Sequence, residues 1–176
     1  MDPLISLTIA LLLAALFAAS AAHQLHAWGE WPGIVRNYRL MPEALVPAVA
    51  AAVPLLETLT AAALLWPRTR AVGAIGTAVL LTLFALALGI NIRRGRTHID
   101  CGCLGSRLRT GLSSWMVLRN LVLAALSLAL LVPAVPRTLS VLEIAVALIN
   151  VLTLAILYPA LSLVLDTRTG SPGASG

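Results

Sequence analysis

The sequence predicts an all-α fold, a polytopic membrane bundle of five helices, and three observations predict it. Of the 176 residues, 60% are hydrophobic and only 11% are charged. Mean hydropathy is +0.96. The apolar residues gather into runs near the roughly 20 that cross a bilayer core of about 30 Å, with short polar stretches between them. A water-soluble domain of this size has no use for such runs. The formal net charge of +5 comes from twelve arginines, no lysine and seven acidic residues. So few charges exclude a nucleic-acid-binding face and leave the basic excess for the membrane boundaries. Two cysteines exclude a disulfide-rich scaffold, and they are too few for a zinc site built from cysteine alone.

The first span is expected over 4–22. Ala19-Ser20-Ala21 would suit a signal-peptide cleavage site, but Met1-Asp2-Pro3 is acidic where a signal is basic, and the apolar run is longer than a signal needs. The run therefore reads as a membrane helix, with Ala10, Ala14, Ala18 and Ala22 offering a small-residue face for close packing. Residues 23–41 hold His23, His26, Trp28, Glu30, Trp31, Arg36, Tyr38 and Arg39, an interfacial composition. The second span, 44–66, contains Pro47, Pro54 and Glu57. Prolines are tolerated there where neighbours re-satisfy the freed carbonyls. Pro67-Arg68-Thr69-Arg70 turns the chain into the third span, 71–92, which lacks any ionisable side chain.

The stretch from Arg93 to about Leu112 is the long polar segment, with five arginines, His98, Asp100 and both cysteines. The fourth span, 113–132, carries Arg119 and Asn120 in its first turns. The fifth, 139–165, carries Glu143 and Asn150. One membrane domain thus covers 1–166, and 167–176, rich in Gly, Ser and Thr, reads as a disordered tail. Trp28, Trp31, Trp66 and Trp115 fall near span ends and read as belt anchors.

Chemistry is to be sought at Cys101-Gly102-Cys103. A disulfide between these thiols closes a very small, strained ring, and such bonds are the labile, exchanging kind. As a cross-link it would constrain almost nothing. Arg93, Arg94, Arg96, Arg107 and Arg109 surround the pair with positive charge that favours thiolate, while Asp100 opposes them from next door. Two further readings stay open. The thiols could be inert, or His98, Asp100, Cys101 and Cys103 could hold a soft cation such as copper or zinc.

Within the membrane, Glu57 lies deep enough to need a partner, a proton or a role, and Arg119 is the expected partner. Glu143 offers that guanidinium a second carboxylate, or makes a structural salt bridge nearer the surface. Trp28 and Trp31, on the same side as the cysteine segment, could form a docking surface or cover a membrane quinone.

In order along the chain, Tyr38-Arg39-Leu40-Met41-Pro42, Pro54-Leu55-Leu56-Glu57, Arg94-Gly95-Arg96, Asp100-Cys101-Gly102-Cys103-Leu104-Gly105 and Arg119-Asn120 resemble the methylamine-utilisation protein MauE family, part of the DoxX-like group of small membrane proteins. Leu104 stands where family members often carry phenylalanine. The resemblance implies a four-helix core plus one helix in the bacterial inner membrane. It further implies a thioredoxin-like partner outside the cytoplasm and a role in processing, transport or disulfide maturation of the small subunit of methylamine dehydrogenase. Some relatives are fused to a thioredoxin-like domain, so here that partner is expected as a separate protein. A non-catalytic scaffold and a soft-metal carrier using His98, Cys101 and Cys103 are the rival functions.

Orientation is contested by the arginines. Five spans put Arg36, Arg39, Arg93, Arg94, Arg96, Arg107, Arg109 and Arg168 on one side, against Arg68, Arg70 and Arg137 on the other. The positive-inside rule would hold the cysteines in the cytoplasm, whereas disulfide chemistry and the resemblance favour the outer face. The expectation is the outer face, with the loop arginines serving the thiols or an anionic partner.

Overall fold

A computed structural model describes residues 1–96, 112–133, 137 and 140–153. The described residues are helical, without a strand among them. Three helices are long and apolar enough to cross a membrane, Pro3–His26, Glu43–Leu65 and Arg70–Arg93, and two apolar helices are shorter, Ser114–Ala129 and Val141–Thr153. The chain is thus a helical membrane bundle.

Helix α1 (Pro3–His26) starts where Asp2 caps it, its carboxylate accepting from the Leu4 amide at 2.8 Å, with Pro3 in the first turn where its missing N–H costs nothing. The helix runs unbroken through Ser20. Its buried stripe is Ser6, Ala10, Leu13, Ala14, Phe17, Ser20, Ala21 and Gln24. Ala18 and Ala22 are exposed, so the four-residue alanine repeat is not the packing face. Each step of four advances about 40° beyond a full turn, and the repeat walks off the contact that a period near 3.6 keeps.

Helix α2 (Trp31–Asn37) is short and ends at Tyr38; Arg39 follows in the left-handed region at φ 46°. A 3-10 turn, Glu43–Leu45, leads into α3 (Val46–Leu65). That helix stops at Trp66, held extended ahead of Pro67. Thr69 Oγ1 donates to Ala63 O at 3.0 Å and Arg70 Nε to Leu64 O at 3.3 Å, filling carbonyls at the helix end. Helix α4 (Arg70–Arg93) closes with paired bonds from Gly95 N to Ile92 O and Arg96 N to Asn91 O. Gly95 at φ 71° supplies the left-handed residue that this termination needs.

Helix α5 (Ser114–Ala129) is capped by Ser113 and is shorter than the expected span of 113–132. Ahead of Pro133 its last turn tightens into three-residue bonds, Leu130 N to Ser127 O, Leu131 N to Leu128 O and Val132 N to Ala129 O.

Consecutive long helices are antiparallel neighbours. Helix α1 packs on α3, α3 on α4, α4 on α5, and α5 returns to α1, closing a four-helix ring. Its core is Ala10, Leu13, Phe17, Leu64, Leu81 and Ala124 with their neighbours. The amino group of Met1 donates to Pro133 O at 2.8 Å, so α1 begins where α5 ends. At the opposite end of the ring α1 finishes, α4 finishes at Arg93 and α5 begins at Ser114. We call this the loop end.

Candidate functional site

The buried polar side chains of an otherwise apolar bundle mark the first site. Glu57 on α3 is 1% exposed. Its Oε1 accepts from Ser20 Oγ at 3.0 Å, and Ser20 Oγ in turn accepts from Gln24 Nε2 at 3.0 Å. Ser20 and Gln24 lie four residues apart, on the face that α1 turns to α3. The expected Glu57–Arg119 ion pair is not formed. The ion pairs among the described residues join Arg137 to Asp2 and to Glu143. The reason is positional: α1 packs directly on α3 and brings hydroxyl and amide to the carboxylate, whereas Arg119 rides on α5, against α4 and α1. There its Nη2 donates to Asn120 Oδ1 at 3.3 Å, and Asn120 is buried.

Reading the sequence for charges missed Ser20, Gln24, Thr77 and Asn91, all buried. The available signal was amide and hydroxyl residues at helical spacing inside apolar spans. Gln24 Oε1, Glu57 Oε2, Thr77 Oγ1 and Asn91 Oδ1 have no hydrogen-bond partner among the described residues.

Glu143 has a different place. It sits at the start of Val141–Thr153 and closes a capping box with Ser140: the Ser140 amide donates to Oε2 at 2.8 Å, and the Glu143 amide donates to Ser140 Oγ at 3.3 Å. Arg137 Nη2 donates to its Oε1 at 2.6 Å.

At the loop end, Arg94 Nη1 donates to Arg39 O at 3.2 Å, tying the end of α4 to the segment before α3. Arg96 ends the described chain there through its amide, and Leu112 resumes it, buried. Cys101, Cys103, His98, Asp100 and Arg107 lie outside the described residues, as does the tail 167–176. Among the described residues no group of three His, Cys, Asp or Glu is placed to hold a metal ion.

Trp31 corrects another expectation. It is buried, not a belt anchor, and its indole Nε1 donates to Ala50 O at 2.8 Å. Its ring packs with Val35, Val46 and Ala50, so of the two tryptophans proposed for docking or for covering a quinone, Trp28 is the one with an exposed face.

A family model described as methylamine utilisation protein MauE matches residues 2–133. The methylamine utilization protein MauE of Paracoccus denitrificans is 39% identical over 165 residues, 92% of this chain and 88% of that protein. The protein of that name from Methylophilus methylotrophus is 39% identical over 174 residues, 97% and 89%. The one from Paracoccus versutus is 41% identical over 135 residues, 76% and 73%. No solved structure matches the chain.

Proposed function

The chain belongs to the methylamine-utilisation MauE family, and from that premise we propose that it is a membrane thiol–disulfide maturation factor for methylamine utilisation. Its reacting groups are Cys101 and Cys103. A thiolate of the pair attacks a disulfide sulfur of a thioredoxin-like partner, a mixed disulfide forms, and the second thiol displaces the partner's sulfur as a thiol. The pair ends oxidised and the partner reduced; the reverse sequence runs through the same intermediate. The client is a disulfide-rich secreted protein, by family the small subunit of methylamine dehydrogenase. The protein sits in the bacterial inner membrane with the cysteine segment on the outer face.

The observation that carries this reading is the closure of the four-helix ring at the loop end. Arg96 and Leu112 both belong to that end, and Cys101 follows Arg96 by five residues. At no more than about 3.6 Å per residue, the first thiol stays within roughly 18 Å of Arg96 and of the rigid end of α4. Arg94 and Arg96 precede the thiols in sequence, with Asp100 and Arg107 flanking them, and positive charge there favours the attacking thiolate.

The test is trapping of the intact protein in cells with an alkylating agent that cannot cross the membrane, followed by mass spectrometry. We expect both sulfurs to react from outside after reduction, and to be protected together before it. Cys101→Ser and Cys103→Ser should each abolish growth on methylamine, and the single-cysteine variants should accumulate a mixed disulfide with the partner. Full function in both variants, or reaction from the cytoplasmic side alone, overturns the proposal. Metal bound to the purified protein and released by His98→Ala would replace it with the metal-carrier reading.

A further inference from the structure

We propose that Glu57, held by Ser20 and Gln24, is a proton-binding site inside the bilayer. The carboxyl group is 1% exposed. It lies within a helix, Glu43–Leu65, apolar enough to span a membrane. Ser20 Oγ is its hydrogen-bond donor at 3.0 Å, and its second oxygen has no partner.

No cation among the described residues pairs with it. On the elements packed against α3, the charged and titratable groups sit at the helix ends: His23 and His26 on α1, Glu30 and Arg36 around α2, Glu43 in the 3-10 turn, Arg70 and Arg93 at the two ends of α4. Arg119 on α5 turns an Nη to Asn120. None of them forms an ion pair with Glu57. An ionised carboxylate held in such a place without a counter-ion is far costlier than the neutral acid.

The unsatisfied atoms point the same way. Glu57 Oε2 and Gln24 Oε1 are both acceptors without a donor. Protonating Oε2 converts an orphaned acceptor into a hydroxyl donor, while Oε1 keeps its bond from Ser20. The hydrogen bonds from α1 fix the other oxygen. Gln24 lies in the last turn of α1 at the loop end, and Ser20 lies four residues, about 6 Å, deeper. Ser20 Oγ accepts from the amide and donates to the carboxyl, so the amide orients the hydroxyl that holds Oε1 and leaves Oε2 for the proton.

The test is infrared difference spectroscopy of the full chain in lipid nanodiscs, between alkaline and mildly acidic pH. We expect the carbonyl stretch of a protonated carboxylic acid, shifted by deuterium exchange, in the wild type and not in Glu57→Gln. Ser20→Ala should move its frequency, because the acid loses its donor. Glu57→Gln, a neutral isostere of the protonated acid, should melt near the wild type. The inference is overturned if no such band responds to Glu57→Gln. It is equally overturned if sodium raises the melting temperature of the wild type and not of Glu57→Gln, the signature of a cation site. Should Glu57→Gln fail to fold, the wild-type spectrum and its displacement in Ser20→Ala still decide. The cysteines take no part in this experiment, so its failure leaves the thiol reading standing.

Discussion

The indole N–H of Trp31 donates to the carbonyl of Ala50 at 2.8 Å, and Ala50 lies four residues before Pro54, inside α3. Proline has no N–H to return to that carbonyl, so an aromatic side chain from outside the helix does what the backbone does not. The proline and the tryptophan are two halves of one device. It allows an imino acid eight residues into a membrane helix, and it fixes α2 against the entry of α3, beneath the loop end.

Trp31→Phe keeps most of the ring and deletes the donor. Leaving a buried carbonyl unmet costs about 1–3 kcal/mol. In Pro54→Ala the helix supplies its own N–H, and the same Trp31→Phe change should then cost measurably less. Thermal unfolding of the four proteins in detergent gives the coupling. Equal losses in both backgrounds would mean that the bond contributes nothing beyond packing.

The closeness of α3 and α4 leads to a second expectation. A Cβ at Gly73 would meet Leu64 N at 2.7 Å and Ala63 C at 2.9 Å, both backbone atoms. Backbone in the last turn of α3, just before a tight connection, cannot yield cheaply, so Gly73→Ala should destabilise by about 1–3 kcal/mol. Gly89, also on α4, has nothing within 4 Å of its Cβ position. There alanine restores helix propensity, and Gly89→Ala should be neutral or raise the midpoint of unfolding. If both substitutions behave alike, the close approach at Gly73 is not real.

The spans were legible because apolar run length is a property of sequence alone: Pro3–His26, Glu43–Leu65 and Arg70–Arg93 are written as hydropathy. Which side of a helix meets which neighbour is not. Trp31 has the composition of a belt anchor, yet only the path of the chain from α1 through α2 turns it inward. Glu57 was legible as a costly carboxylate. Its partner was not, since Coulomb reasoning points to Arg119, a cation inside another span, while packing delivers Ser20 and Gln24. Family membership was legible from short motifs taken in order, which tolerate the change at Leu104.

Glu143 illustrates the same limit and yields a third prediction. The sequence offered it as a partner for Arg119 or as a structural salt bridge nearer the surface; the structure pairs it with Arg137 and makes it the acidic half of a cap. Ser140→Ala removes the hydroxyl that donates to Oε2 and accepts from the Glu143 amide, leaving the Ser140 amide on Oε2, and loss of such a cap costs about 1 kcal/mol. Arg137→Gln should cost less, because both members of its ion pairs are partly open to water. Hydrogen exchange at the amides of Val141 to Glu143 reports the difference. Faster exchange in Arg137→Gln than in Ser140→Ala would reverse the ranking.

The arginines at the loop end separate two ways of serving a thiol. Arg94 is engaged, its Nη1 on Arg39 O at 3.2 Å, and Arg39 itself sits in the left-handed region at φ 46°. Removing that guanidinium therefore frees a backbone bend before it changes any thiol. The Arg96 side chain has no partner among the described residues, and its charge is available to whatever the following five residues bring near it. Arg96→Gln should slow alkylation of the reduced cysteines at neutral pH by roughly threefold, with no change in melting temperature, and added salt should blunt the effect. Arg94→Gln should lower the melting temperature and loosen protease protection around Arg39, with alkylation following only in proportion. An Arg96→Gln protein whose cysteines alkylate at the wild-type rate in low salt would show that charge at this end of α4 does not reach the thiols.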